Sequence, residues 1–64
     1  MKHYLIQRLT DHSYYSGTHK DFRGILYATF YDCEKIAYRR IRLLLEENLG
    51  SIFTIIPVYR RLYN

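Results

Sequence analysis

Between residues 2 and 9 apolar and polar side chains alternate. Tyr4, Ile6 and Arg8 share one face of an extended segment and Leu5, Gln7 and Leu9 the other, which predicts a first strand. Residues 10 to 23, Thr-Asp-His-Ser-Tyr-Tyr-Ser-Gly-Thr-His-Lys-Asp-Phe-Arg, are polar and carry a Ser-Gly step. They predict a long loop or the outer end of a hairpin, with Tyr14 and Tyr15 placed to prolong a ribbon beyond the sheet. After Gly24 the alternation resumes. From Ile25 to Tyr31, Leu26, Ala28 and Phe30 face one way and Ile25, Tyr27, Thr29 and Tyr31 the other. β-Branched and aromatic enrichment favours a second strand there.

The period then lengthens to that of a helix. Asp32 is placed to cap it, Glu34 suits the positive end of its dipole, and Gly50 is placed to stop it after Leu49. Cys33, Ala37, Tyr38, Ile41, Leu44 and Leu45 form one apolar face. Lys35, Arg39, Arg42 and Glu46 lie opposite, and Ile36 and Leu43 form a separate minor stripe. Residues 51 to 63 predict a last strand in which Pro57, unable to donate to a ladder, marks an edge or a bulge.

The expected fold class is α+β: a small ββαβ domain, with a three-stranded sheet of order 2-1-3 and one helix packed on one face. The first two strands pair as a hairpin. A right-handed crossover through the helix brings the third beside the first, antiparallel. At 64 residues the chain makes one domain spanning 1–64. A domain this small buries only about 60% of its unfolded surface, so half-buried tyrosines and arginine stems, or a second copy in a homodimer, must help to stabilise it.

The single cysteine, Cys33, excludes an intramolecular disulfide and points to a reducing compartment, the cytoplasm. The N-terminal Met-Lys-His-Tyr-Leu-Ile-Gln-Arg lacks a signal-peptide core, and no apolar run has the length of a membrane span. No membrane role is expected.

Charge adds the main functional lead. The chain carries ten Lys and Arg and six Asp and Glu, a formal net charge of +4. All six acids and six of the bases fall between residues 11 and 47 and cancel; the excess comes from Lys2, Arg8, Arg60 and Arg61 at the two ends. Tyr4, Tyr59 and Tyr63 lie among these four bases. If the terminal strands pair, they form a basic, aromatic strip with no carboxylate of its own, which Asp32 could reach at the Lys2 corner to pair with Lys2. Arginine supplies a planar fork for phosphate or carboxylate, and tyrosine a stacking face. Tyr27 could join them on the open face of the sheet. Arg39 and Arg42 extend the basic set along the helix, or belong to a solvated face in which Arg42 pairs with Glu46. The candidate binding residues are therefore Lys2, Tyr4, Arg8, Tyr27, Arg39, Arg42, Tyr59, Arg60, Arg61 and Tyr63, with Ile36 and Leu43 as a candidate contact stripe.

Nothing in the chain spells out a reaction. His12, His19 and Cys33 match no closed zinc motif, so no metal is expected. Cys33 falls on the core-facing side of the helix, where a buried hydrophobe is the usual role. Gly17, Gly24 and Gly50 are isolated, and Glu46 and Glu47 point to different helix faces. A chain of this size is also expected to lack the concave volume of about 300 Å³ typical of substrate pockets. The expectation is a non-enzyme without cofactor.

A small protein-binding module of inhibitor or adaptor type, docking on a larger protein with an acidic surface, fits the tyrosine and arginine content and the edge strand. The alternative is a nucleic-acid binder for single strands or RNA, whose few bases predict weak and salt-sensitive binding. A third is a structural subunit whose edge strands pair with copies of itself. The strand-strand-helix-strand order is similar to that of small phage-encoded inhibitors of host RNA polymerase. That resemblance is one of element order, with no shared motif, and is analogy at the level of the fold. The compactness of the chain suits a viral or mobile-element source.

Overall fold

The computed structural model describes residues 2 to 59. It is an α+β fold in which one helix packs on an antiparallel sheet, but the sheet has four strands, ordered β3-β2-β1-β4, not three. The strands are Lys2–Arg8 (β1), Ser13–Ser16 (β2), Asp21–Arg23 (β3) and Phe53–Tyr59 (β4), and the helix is Glu34–Glu47 (α1).

The extra strands come from the polar tract expected to be a long loop or the outer end of a hairpin, and it forms the hairpin. Its first turn is built by Asp11, whose carboxylate accepts from the Ser13 N–H at 3.1 Å, the Ser13 hydroxyl at 2.6 Å and the Arg8 guanidinium at 2.7 Å. His12 takes a left-handed backbone conformation, φ 59°, to complete that turn. The second turn closes with the Lys20 N–H donating to the Ser16 carbonyl at 2.7 Å, Lys20 itself at φ 56°. Between these turns Tyr14 and Tyr15 pair with Arg23 and Phe22.

The expected second strand, Ile25 to Tyr31, does not form. Ile25–Tyr27 is a single 3-10 turn, with the Tyr27 N–H donating to Gly24 and that of Ala28 to Ile25. The hairpin already occupies the flank of β1 where this strand would lie. β2 pairs with β1 only at Gln7 and Arg8. Farther along, Tyr31 fills the vacancy by an isolated bridge to Tyr4, and Thr29 donates to the Tyr15 carbonyl.

β4 lies beside β1, antiparallel and at the sheet edge, as its proline implied. Their register runs from Lys2 opposite Tyr59 to Arg8 opposite Phe53. Tyr4, Ile6 and Arg8 therefore share the helix-side face with Pro57, Ile55 and Phe53. Ile6, Tyr15, Ala37, Ile41 and Leu44 make the core, with Tyr4, Phe22, Tyr31, Phe53 and Ile55 packed against it.

The helix begins one residue later than expected. Cys33 is the N-cap and makes no side-chain cap bond, so Asp32 is free to turn to His3. At the other end Asn48 caps the helix, its side-chain amide donating to the Leu44 carbonyl at 2.9 Å, and Gly50 follows at φ 87°. The buried helix face is narrower than its sequence suggested. Ala37, Ile41 and Leu44 are buried, whereas Cys33, Tyr38 and Leu45 are exposed. One helix over a narrow twisted sheet leaves its flanks uncovered. No helix among the described residues is long and apolar enough to cross a membrane.

Candidate functional site

The expected terminal strip is only partly assembled. At one corner of the sheet the Lys2 ammonium stands 5.7 Å from the centre of the Tyr4 ring and 5.9 Å from that of Tyr59, between two aromatic faces. The β1–β4 register brings these three together, since Lys2 opposes Tyr59 directly and Tyr4 lies two residues along the same face. Arg60, Arg61 and Tyr63 lie outside the described residues.

Arg8 does not belong to a carboxylate-free surface. Its guanidinium forms a two-pronged contact with Asp11, 2.7 and 3.2 Å, and lies 4.2 Å from the centre of the Phe22 ring. Asp11 accepts from Arg8 and twice from Ser13, which holds its carboxyl well below the ordinary carboxylate range. Asp32 also departs from expectation. It reaches His3 and not Lys2, with His3 Nδ1 3.1 Å from the carboxylate but outside hydrogen-bonding direction. His3 is buried and set edge-on to Phe30.

Tyr27 is remote from the strip. Its exposed ring meets His19 edge-on at 5.5 Å and Arg23 at 5.7 Å, beside the β2–β3 hairpin. Arg23 in turn holds Asp21 at 2.8 Å.

The helix carries the other half of the candidate set. Ile36, Arg39 and Leu43, at spacings of three and four, form one continuous outward stripe, and Arg42 lies next to it. Ile36 and Leu43 are each 48% exposed. Arg39 and Arg42 are exposed and make no ion pair among the described residues; the expected Arg42–Glu46 pair does not form. Arg40, one step toward the sheet, is drawn inward to 5.8 Å from the Tyr15 ring centre.

Two features escaped the sequence. The 3-10 turn presents Ile25, Leu26 and Tyr27 outward, with Leu26 91% exposed. Three large apolar residues directly after a glycine were the available signal, but their place in an alternating run concealed it. The other feature is a cleft of about 570 Å³ between the hairpin and the C-terminal half of α1, larger than this chain was expected to offer. Tyr15, Phe22 and Tyr31 line it with Lys20, Arg40, Asp21 and Glu47, so its charges balance. Tyr31 is pushed up from its ordinary value by burial, against the pull of the Arg40 charge. No group of three or more His, Cys, Asp or Glu among the described residues could hold a metal ion.

Compared with protein families, curated proteins and solved structures, the chain matches none. The element order, with its additional hairpin and its 3-10 turn in place of the second strand, also departs from the strand-strand-helix-strand order on which the phage-inhibitor resemblance rested.

Proposed function

We propose that this chain is a small non-enzymatic binding protein that docks on a larger protein through the outer side of α1. The observation that carries the reading is the stripe Ile36–Arg39–Leu43 with Arg42 beside it: two half-exposed aliphatic residues interleaved with cations that make no ion pair among the described residues. Aliphatic side chains gain from burial against an apolar surface, and a phosphate backbone offers none. The arginines select the rim, favouring a partner whose apolar groove is bordered by Asp or Glu. The exposed thiol of Cys33, which has no second cysteine to pair with, supports a site of action in the cytoplasm.

The Lys2 corner supports a second reading. A cation between Tyr4 and Tyr59 resembles a stacking site for an unpaired base, so binding to single-stranded DNA or RNA is the alternative. Arg8 weakens that alternative, because its charge is neutralised by Asp11.

Affinity capture from cells of the source organism, run beside anisotropy with labelled single strands, separates the two. The protein reading expects a discrete captured protein that is lost with Ile36→Ser/Leu43→Ser and with Arg39→Ala/Arg42→Ala, both variants remaining folded. Micromolar, steeply salt-dependent strand binding that survives both double variants would replace it with the nucleic-acid reading.

A further inference from the structure

β4 is the outer strand of the sheet, and its hydrogen-bonding phase can be read from its neighbour. Tyr4 commits both backbone groups to Tyr31, donating at 2.9 Å and accepting at 2.9 Å, so it offers neither to Pro57, its partner in β4. The Leu9 N–H, donating to the Ile52 carbonyl at 2.8 Å, marks the bonded pairs of the alternating ladder. Phe53, Ile55, Pro57 and Tyr59 therefore all turn their backbone polar groups outward. Pro57 presents a carbonyl only. No charged residue occurs from Phe53 to Tyr59, in a chain whose net charge is +4. Edge strands are commonly guarded by charge or proline, and here only proline is present, acting at a single outward position.

The outward helix flank above this edge carries two large apolar side chains, Tyr38 and Leu45, with Glu34 one turn before Tyr38 and Arg42 one turn after it. Arg40 and Glu47 face the hairpin across the cleft. Tyr38 and Leu45, about 200° round the helix from them, lie on the opposite flank, toward β4. They are 55% and 42% exposed.

We infer that two copies of this chain pair through β4, antiparallel about a two-fold axis at Ile55, joining two four-stranded sheets into one. In that register each Ile55 N–H donates to the partner subunit's Ile55 carbonyl, and each Phe53 N–H to the partner subunit's Pro57 carbonyl, which needs no donor from proline. Centred on Pro57 instead, the two prolines would face each other without a bond.

A second copy also fits the space. The helix touches both β1 and β4. At a strand spacing of about 4.8 Å, a helix over the boundary between them lies about 5 Å from the proposed axis. The two helices then stand about 10 Å apart, the upper end of the ordinary packing distance, with their Tyr38 and Leu45 stripes facing. Pairing over Phe53–Tyr59 brings no like charges of that span together. The Ile36–Leu43 stripe lies on the other flank and stays free, so the dimer is tested apart from that stripe; Arg42, about 40° round the helix from Tyr38, borders the seam.

Sedimentation equilibrium from low micromolar to near-millimolar concentration tests this. The expected mass rises toward twice 7.9 kDa. Ile55→Pro removes the central outward N–H without breaking a bond to β1, and Leu45→Lys charges the exposed flank. Each is expected to weaken dimerisation about tenfold or more, with helical circular dichroism retained. Ile36→Lys, on the far flank, is expected to leave it unchanged. A monomer at every concentration overturns the inference. So does a dimer indifferent to Leu45→Lys, or one weakened equally by Ile36→Lys. If Ile55→Pro fails to fold, the Leu45→Lys and Ile36→Lys pair decides.

Discussion

Tyr4 and Tyr31 exchange both of their backbone hydrogen bonds, at 2.9 Å in each direction. This single rung ties the segment after the 3-10 turn to β1, and it fixes the phase of the whole β1–β4 ladder. Because Tyr4 turns away from β4, Pro57 opposite it has no bond to lose. The neighbouring Ile56, opposite Leu5, sits in the alternate phase and donates inward. Pro57→Ala is expected to change stability by about 1 kcal/mol or less, through the freedom it returns to the unfolded chain. Ile56→Pro, one residue away, is expected to cost about 3 kcal/mol or more, through a lost ladder bond and the clash of its ring. Urea unfolding of the two variants checks this. A tolerated Ile56→Pro together with a stabilising Pro57→Ala would place the phase the other way round.

Leu44 and Leu45 are adjacent but unequal: the first is buried in the core and the second is half exposed. Leu44→Ala is expected to cost about 2–5 kcal/mol, since deleting a core methyl cluster removes both transfer energy and packing. Leu45→Ala should cost about 1 kcal/mol or less. Melting temperatures measured at low concentration, where dimerisation contributes least, give the comparison. A Leu45→Ala loss as large as that of Leu44→Ala would mean that the core face is as wide as the sequence pattern suggests.

That pattern was a good guide where burial follows period and a poor one elsewhere. β1, α1, the antiparallel placement of β4 and its edge position all follow from the alternation at 2–9, the 3.6-residue spacing through Ala37, Ile41 and Leu44, and Pro57. The hairpin of Ser13–Ser16 and Asp21–Arg23 does not, because side-chain bonds at Asp11 and left-handed residues at His12 and Lys20 set its turns, and hydropathy carries no trace of either. Ile25 to Tyr31 misled for the converse reason: its alternation is real, but three of its largest side chains face solvent. In the candidate site, Lys2, Tyr4 and Tyr59 were legible because strand register alone unites them. Arg8 was misplaced because a tight turn returns Asp11 to it from only three residues away.

Tyr31 supplies an alkaline prediction. Burial raises its pKa above the ordinary tyrosine value, so its neutral phenol is favoured in the fold. The stability this contributes is complete below the unfolded-state pKa of about 10 and is lost as pH rises from there through the higher folded value. Wild type should therefore lose urea resistance above that pH more steeply than Tyr31→Phe, which has no phenol to ionise. In an ultraviolet titration Tyr31→Phe should remove an ionisation that lies above the ordinary tyrosine value. Parallel stability curves for the two proteins would show that Tyr31 ionises as freely in the fold as out of it.

Asp11 supplies the acid counterpart, with the opposite sign. Its carboxylate is favoured in the fold by bonds from Arg8 first and Ser13 second, so its folded pKa lies far below its unfolded one. The stabilisation is present above the unfolded value of about 4 and declines as pH falls below it. The group is on the surface, so the effect is screened and should shrink with added salt. Its structural reach is greater than its exposure suggests, since the same carboxylate closes the β1–β2 turn and holds Arg8 over Phe22. Asp11→Asn keeps an acceptor for the Ser13 N–H but loses the charge that Arg8 requires. The variant should start less stable than wild type at neutral pH and lose less between pH 5 and pH 2, so that the two curves converge in acid. Urea midpoints at a series of pH values, at low and high salt, measure the convergence. Curves that stay parallel throughout would mean that the Arg8–Asp11 contact contributes nothing to the folded state in solution, and that the turn is held by its left-handed backbone alone.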